Sequence, residues 1–365
     1  MLEGLKVLEF SAMGPVPWSA MLLADQGANV LVVRRPGEAS EPDAGQRMMG
    51  RGRLSITLDL KQPDDVARAR ALMRQADVVL EGMRPGVMER LGLGPETALA
   101  DNPKLVYARM TGWGQDGPMA QRAGHDINYI ALSGVLNAIG PADGPPVAPL
   151  NLLGDYGGGG AFMLIGVLSA LWRVARGGAG AVVDAAMVDG VANLSTLIHA
   201  RIASGQWRDQ RGVNSMDGGA PWYTVYKTSD DQYMAVGAIE PAFYAQLLTG
   251  LGIDTDQFPD RMDPTKWPEI HARFTAIFAS RTRAAWTEIF DPTDACVSPV
   301  LNFTEAAQHP HHRARGTYVQ WEQHVVPAPA PRFDGRVGKL ADYAPGDADA
   351  RWAAWGDAHA KGRYT

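Results

Sequence analysis

The sequence predicts an α/β protein: a parallel sheet with crossover helices, followed by a smaller α+β domain. Three observations carry this. Short apolar runs alternate with helix-forming stretches through the first half, which is a βαβ rhythm. From about Ala200 the texture changes to glycine, aspartate and aromatic punctuation. In that part "APWYTVYKT" and "QYMAVGAI" flank "SDD", a hairpin signal.

The elements follow in order. "LKVLEF" (5–10) is a short apolar strand. "PWSAMLLADQGA" comes next as a helix, with Pro17 suited to a first turn and Gly27 to a stop. "NVLVV" (29–33) is the second strand, and "DVVLEGM" (77–83) and "LVYARM" (105–110) supply two more. The longest apolar run, "AFMLIGVLSALW" (161–172), ends at Arg173; it is too short to span a bilayer and reads as a buried helix. After the hairpin, helical stretches are expected around 241–252 and 268–290. Residues 323–335, with "VVPAPAPRF", read as an extended connector, and the tail from about Arg336 is polar and alanine-rich.

Composition bounds the function. The 365 residues suffice for a large core or two domains. With 46% hydrophobic and 20% charged residues, the chain is globular rather than disordered. A net charge of -6 argues against wholesale nucleic-acid binding but leaves room for a local basic pocket around a phosphorylated ligand. The single cysteine, Cys296, excludes an internal disulfide and a cysteine-based zinc site. "MLEGLKVLEF" lacks the features of a signal peptide, so a cytoplasmic protein without a membrane partner is expected.

A parallel sheet binds its ligand outside the carboxyl ends of its strands. The loop after the first strand is "SAMGPVP", not GxGxxG. The second strand ends in Arg34–Arg35, where a NAD-binding fold places an acidic residue. The pair suits a phosphate, or is an ordinary solvated basic pair. Three further residues stand out. His125 in "AGHDINY" is a core histidine, a metal ligand or a proton carrier. Asp155 opens the four-glycine run of "NLLGDYGGGGAF"; it is a helix N-cap, or marks a place where a bulky ligand approaches the backbone near helix amides that stabilise an anion. Glu240 in "AVGAIEPAF" is a surface charge, or a carboxylate that orients a histidine. "HPHH" (309–312) lacks metal-site spacing, and Cys296 beside Asp294 has no histidine near it in sequence, so no metal is expected.

With these residues in view, "YARMTGWGQ", "AGHDINY", "PLNLLGDYGGG", "DAAMVDG", "MDGGAPWY", "VGAIEP" and "TDACVSPV" occur in the order found in one family. Over roughly residues 2–335 the chain resembles the α-methylacyl-CoA racemases of the family III CoA-transferase superfamily. The resemblance implies an interlocked homodimer. Each chain would have a large Rossmann-like domain (1–200), a small α+β domain (215–315) and a C-terminal return to the large domain (316–365). It implies His125 and Asp155 as the two catalytic bases, with Glu240 paired to His125. It also implies CoA contacts at Arg35, at Leu58, Asp59, Leu60 and Lys61 of "LDLK", at Arg84, and along Gly124, Asp126, Ile127, Asn128 and Tyr129.

The implied chemistry is physically coherent. Epimerising a 2-methyl-branched acyl-CoA removes the Cα proton on one face of the thioester and returns a proton on the other. That needs two bases, each contributing ~10²–10⁴ in rate, and donors for the enolate oxygen. By the resemblance, His125 takes the proton of the 2S ester and Asp155 that of the 2R ester, with no cofactor beyond the CoA thioester itself. The competing reading is a CoA-transferase of the same superfamily, in which Asp155 is the nucleophile.

Overall fold

Residues 1–38, 42–254 and 258–341 are described in the computed structural model of the chain. It divides into two compact units. The first comprises Met1–Ser133, Pro149–Ser195 and the chain from Arg315 onward; the second comprises Gly134–Ala148 and Thr196–Ala314. The last part of the expected C-terminal segment, 342–365, lies outside the described residues.

The first unit begins β1 (Lys6–Phe10), α1 (Pro15–Asp25), β2 (Asn29–Arg34), α2 (Ala44–Met49), β3 (Arg53–Thr57), α3 (Pro63–Gln75) and β4 (Val78–Glu81). It continues with α4 (Val87–Arg90), α5 (Pro95–Asp101), β5 (Val106–Thr111) and α6 (Asp126–Leu132). A π-helical segment (Leu152–Ala161) then runs into α7 (Phe162–Ala175), followed by β6 (Ala181–Ala186) and α8 (Met187–Leu194). The sheet order is β3-β2-β1-β4-β5-β6, and every pairing is parallel. This is the doubly wound order expected of a Rossmann-like domain.

Alternation along the strands sorts the core into two layers. Val7, Val30, Val78, Leu80, Val106 and Ala108 face α1 and α7. Leu8, Phe10, Leu31, Val33, Val79 and Tyr107 face α3 and α5. The four sequence-predicted strands are the buried ones. β3 and β6 escaped notice because they are edge strands: "RLSIT" and "AVVDAA" are only partly buried and carry charge or polarity among their apolar residues.

Two ion-pair groups tie the strands of the sheet together. Glu9 on β1 accepts from Arg53 on β3 at 2.6 Å, across β2. Arg109 on β5 lies between Glu81 at 2.8 Å and Glu89 at 2.7 Å. Burial pushes the Glu81 carboxyl up, while Arg109 and the Met83 amide pull it back. That amide donates to Glu81 at 2.7 Å and so fixes the loop after β4.

The apolar run at 161–172 is part of a longer helix than the sequence suggested. From Leu152 to Ala175 it spans 24 residues, which by length and composition alone is enough to cross a bilayer. It packs on β5, β6 and α8 as a sheet-covering helix. It is also not buried all round: Ile165, Leu168 and Trp172 are exposed on its outer face.

The second unit holds α9 (Thr196–Ala203), β7 (Tyr223–Lys227), β8 (Tyr233–Gly237), α10 (Pro241–Gly250), α11 (Trp267–Phe278), α12 (Arg283–Phe290) and β9 (Val297–Pro299), then α13 (Phe303–Gln308) and α14 (Pro310–Arg315) at its end. β7, β8 and β9 form an antiparallel sheet over an aromatic core that includes Phe274, Phe278, Trp286 and Phe290. The expected hairpin is present, with Asp231 in the left-handed region at φ 57°, which short polar residues tolerate. The stretch at 268–290 splits into two helices because the Thr282 hydroxyl accepts the Ala285 amide and starts a new one. Back in the first unit, β10 (Tyr318–Trp321) and β11 (His324–Pro327) pair as a hairpin, and β11 falls in the stretch 323–335 expected to be an extended connector. Its second strand contains the start of the proline-rich stretch.

Candidate functional site

The strand order reverses between β1 and β4, so ligands are expected where the loops at 11–14 and 82–84 diverge. Two clefts open there and share Met13, Gly82 and Met83. The first, of about 520 Å³, is lined by His125 and Asp155, by Arg84 and Arg122, and by Trp113 and Tyr129. The second, of about 600 Å³, is lined by Arg34 and Arg35 among other polar residues.

His125 is the N-cap residue of α6 and is exposed to the first cleft. Its backbone amide donates to Asn128 Oδ1 at 3.0 Å, which anchors the helix start. The preceding turn is held by aromatic packing. Tyr129 donates to the Gly124 carbonyl at 2.5 Å and meets Trp113 edge-on, with ring centroids 4.8 Å apart. A Cβ at Gly112 would lie 2.0 Å from the Tyr129 ring, so only glycine permits this packing.

Asp155 sits in the first turn of the π-helical segment, half-buried, with Gly14 across from its carboxylate. It is not the N-cap residue. Burial pushes its carboxyl up. The Asn151 side chain, donating at 3.0 Å, pulls it down; the nearby Asp126 charge pushes up and His125 pulls down. The net direction is above the ordinary aspartate range, which suits a group that must both take and return a proton.

The glycine run has a different purpose from the one expected. A Cβ at Gly158 would meet Val191 and the Met187 carbonyl within 3 Å, and one at Gly160 would meet the Trp18 ring at 2.5 Å. From the other side, a Cβ at Gly190 would lie 1.9 Å from the Gly158 carbonyl oxygen. The run therefore lets the π-helical segment press against α8 and α1. It does not admit a ligand to the backbone at these positions. The amides of Gly154 and Asp155 are also engaged: both donate to Asp126 Oδ2, at 2.6 and 2.8 Å. They are not available to an oxyanion.

The remaining sequence candidates divide. Arg84, Gly124 and Tyr129 line the first cleft, and Arg35 lines the second. Arg35 also approaches Met83 Sδ at 3.3 Å. Leu58 is buried in the core, so only its backbone can reach a ligand. Asp59 accepts from the Lys61 amide and donates its own amide to Asp65; with Leu60 and Lys61 it lines neither cleft. Ile127 and Asn128 also lie outside both linings, and Asp126 turns its carboxylate into the π-helical segment. Glu240 belongs to the second unit, exposed at the N-cap position of α10. Arg261 fixes the backbone before it by donating to the Ala238 and Ile239 carbonyls.

Sequence reasoning missed Met13, Trp113 and Arg122 as cleft residues. "SAMGPVP" did carry a signal for the first. Gly14, at φ 72°, turns the chain into a proline-started helix and leaves Met13 projecting, 90% exposed.

The sequence matches CoA-transferase family III over residues 2–349. The chain belongs to CoA-transferase family III. Within the family it is similar to the α-methylacyl-CoA racemases of mouse and human, each 49% identical over 331 residues. That is 90% of this chain and 86% of either relative. A crystal structure of a CAIB/BAIF family protein from Brucella suis is similar in fold, with a TM-score of 0.79 at 26% identity over 98% of both chains. The parallel sheet and the small antiparallel sheet are thus family features, as the resemblance implied.

Proposed function

We propose that the chain interconverts (2R)- and (2S)-2-methylacyl-CoA thioesters by proton transfer at Cα, without a further cofactor. The observation that carries this is the pairing of His125 and Asp155 on one cleft at the strand-order reversal, with the Asp155 carboxyl held above its ordinary range. Close likeness to racemases over most of the chain supports it.

In this reading the basic cleft holds the phosphorylated end of CoA through Arg35, and the thioester lies between the two bases. His125 removes the Cα proton of the 2S ester, the electrons move to the thioester oxygen, and protonated Asp155 delivers a proton to the opposite face. The 2R ester reacts by the reverse path. Because Asp126 already occupies the Gly154 and Asp155 amides, the enolate oxygen needs another donor. The Asp126 amide at the start of α6 has no acceptor among the described residues and adjoins His125. Glu240, supplied by a second copy of the chain, accepts the other imidazole N–H. We further propose a homodimer, in which the apolar residues Ile165, Leu168 and Trp172 on α7 are covered.

The test is NMR of each 2-methylacyl-CoA epimer, incubated separately in D₂O with no acceptor acid. Deuterium at Cα with both epimers appearing is expected. Thioester transfer only after a free acid is added would make Asp155 a nucleophile and the protein a transferase.

A further inference from the structure

Asp126 has an unusual position. It follows His125 directly in the chain, and its side chain holds the backbone of the other base. The residue is 5% exposed. Oδ2 accepts the amides of both Gly154 and Asp155, while Oδ1 is buried without a hydrogen-bond partner among the described residues. The contact is close enough to demand glycine at 154, where a Cβ would lie 2.6 Å from Oδ2. A buried carboxylate with one bare oxygen is costly, and a neutral acceptor could make the same two bonds more cheaply. Its presence calls for a reason beyond capping a helical segment.

We propose that Asp126 is the positioning residue that fixes Asp155 relative to His125. This rests on reading those two residues as the bases. Proton transfer from opposite faces of one carbon requires the bases to keep a constant separation, and an ångström of misplacement costs on the order of 10²-fold. The covalent link to His125 and the two amide bonds to 154 and 155 make one short, rigid bridge between them. The carboxylate charge has a second effect: it opposes ionisation of Asp155, so the base stays less acidic than it would beside a neutral side chain. This role differs from a CoA contact, which would show in KM rather than kcat.

The experiment is Asp126→Asn and Asp126→Ala, with kcat, KM and the pH profile of kcat/KM measured for both epimers, and wild type in parallel. Asparagine keeps an acceptor for the amides and removes the charge; alanine removes both. A kcat lowered by roughly 10–100-fold is expected for Asp126→Ala and held within a few-fold for Asp126→Asn, with KM for the CoA ester within about twofold in each. The acid limb of the profile should move to lower pH, and equally in both directions, because the equilibrium between epimers does not depend on pH. A raised KM with kcat unchanged would make Asp126 a CoA contact and overturn the proposal. So would an acid limb that stays in place. If Asp126→Asn does not fold, Asp126→Ser removes the same charge with a smaller side chain and must show the same shift of the acid limb. Absence of Cα exchange in the wild type would instead defeat the racemase reading itself.

Discussion

The two clefts at the strand-order reversal share a rim but are built from opposite materials. In the basic cleft, Arg34 and Arg35 project from the end of β2, and Arg53 is neutralised by Glu9. Among the described residues no ion pair engages Arg34 or Arg35, so a phosphate can reach their charge. In the first cleft, a histidine and a carboxylate are held on helix starts, walled by Trp113 and Tyr129 and packed against glycines. One arrangement attracts charge and tolerates movement. The other sets proton affinity and does not. Recognition can rest on exposed side chains at strand ends, whereas proton transfer needs desolvation and fixed backbone.

The largest expected effect breaks the chemical cleft alone. Asp155→Asn should lower kcat by ~10²–10⁴ with KM changed only a few-fold, checked by steady-state rates on both epimers. If KM rises instead while kcat holds, the two clefts have not divided the work.

Next comes the packing under the chemical cleft. Gly158→Ala places a methyl within 3 Å of the Val191 amide and the Met187 carbonyl, which are backbone atoms that cannot step aside. It should destabilise the fold by roughly 1–3 kcal/mol, read by thermal or urea unfolding, and reduce exchange in parallel. Unchanged stability would return the glycine run to the role of ligand approach.

A smaller effect belongs to the basic cleft. Arg35→Ala should raise KM for CoA esters by about tenfold with kcat nearly unchanged, and should weaken the salt dependence of KM.

The smallest effect is a pH shift. Asn151→Ala removes the donor that lowers the Asp155 carboxyl, so the folded-state value moves further up. The ionised form is then reached only at higher pH. The acid limb of kcat/KM should move to higher pH, opposite to the shift expected for Asp126→Asn, while the rate near neutrality changes little.

How much was legible beforehand varied with burial. The central strands were plain because parallel strands covered on both faces are continuous apolar runs. The edge strands β3 and β6 were not, since half-exposed strands carry mixed residues. His125 and Asp155 stood out by their glycine-flanked settings and by the family resemblance, and the fold brings both to one cleft. The "LDLK" stretch was legible only through the resemblance, and Leu58 proves to be a core side chain. Met13, Trp113 and Arg122 join the cleft from separate loops, so no local pattern marks them as a group.

The sequence by itself determined the α/β class, the arginine pair at the end of β2, the hairpin after 220 and the residues able to carry protons. Each of these depends on periodicity or on the chemistry of a short stretch, which local order preserves. Tertiary structure decided what the glycine run accommodates, which amides remain free and where the Asp126 carboxylate points. Those depend on distances between segments tens of residues apart. Such distances are fixed only when helices and sheet close-pack, and a single methyl group or one buried acceptor is then enough to settle them.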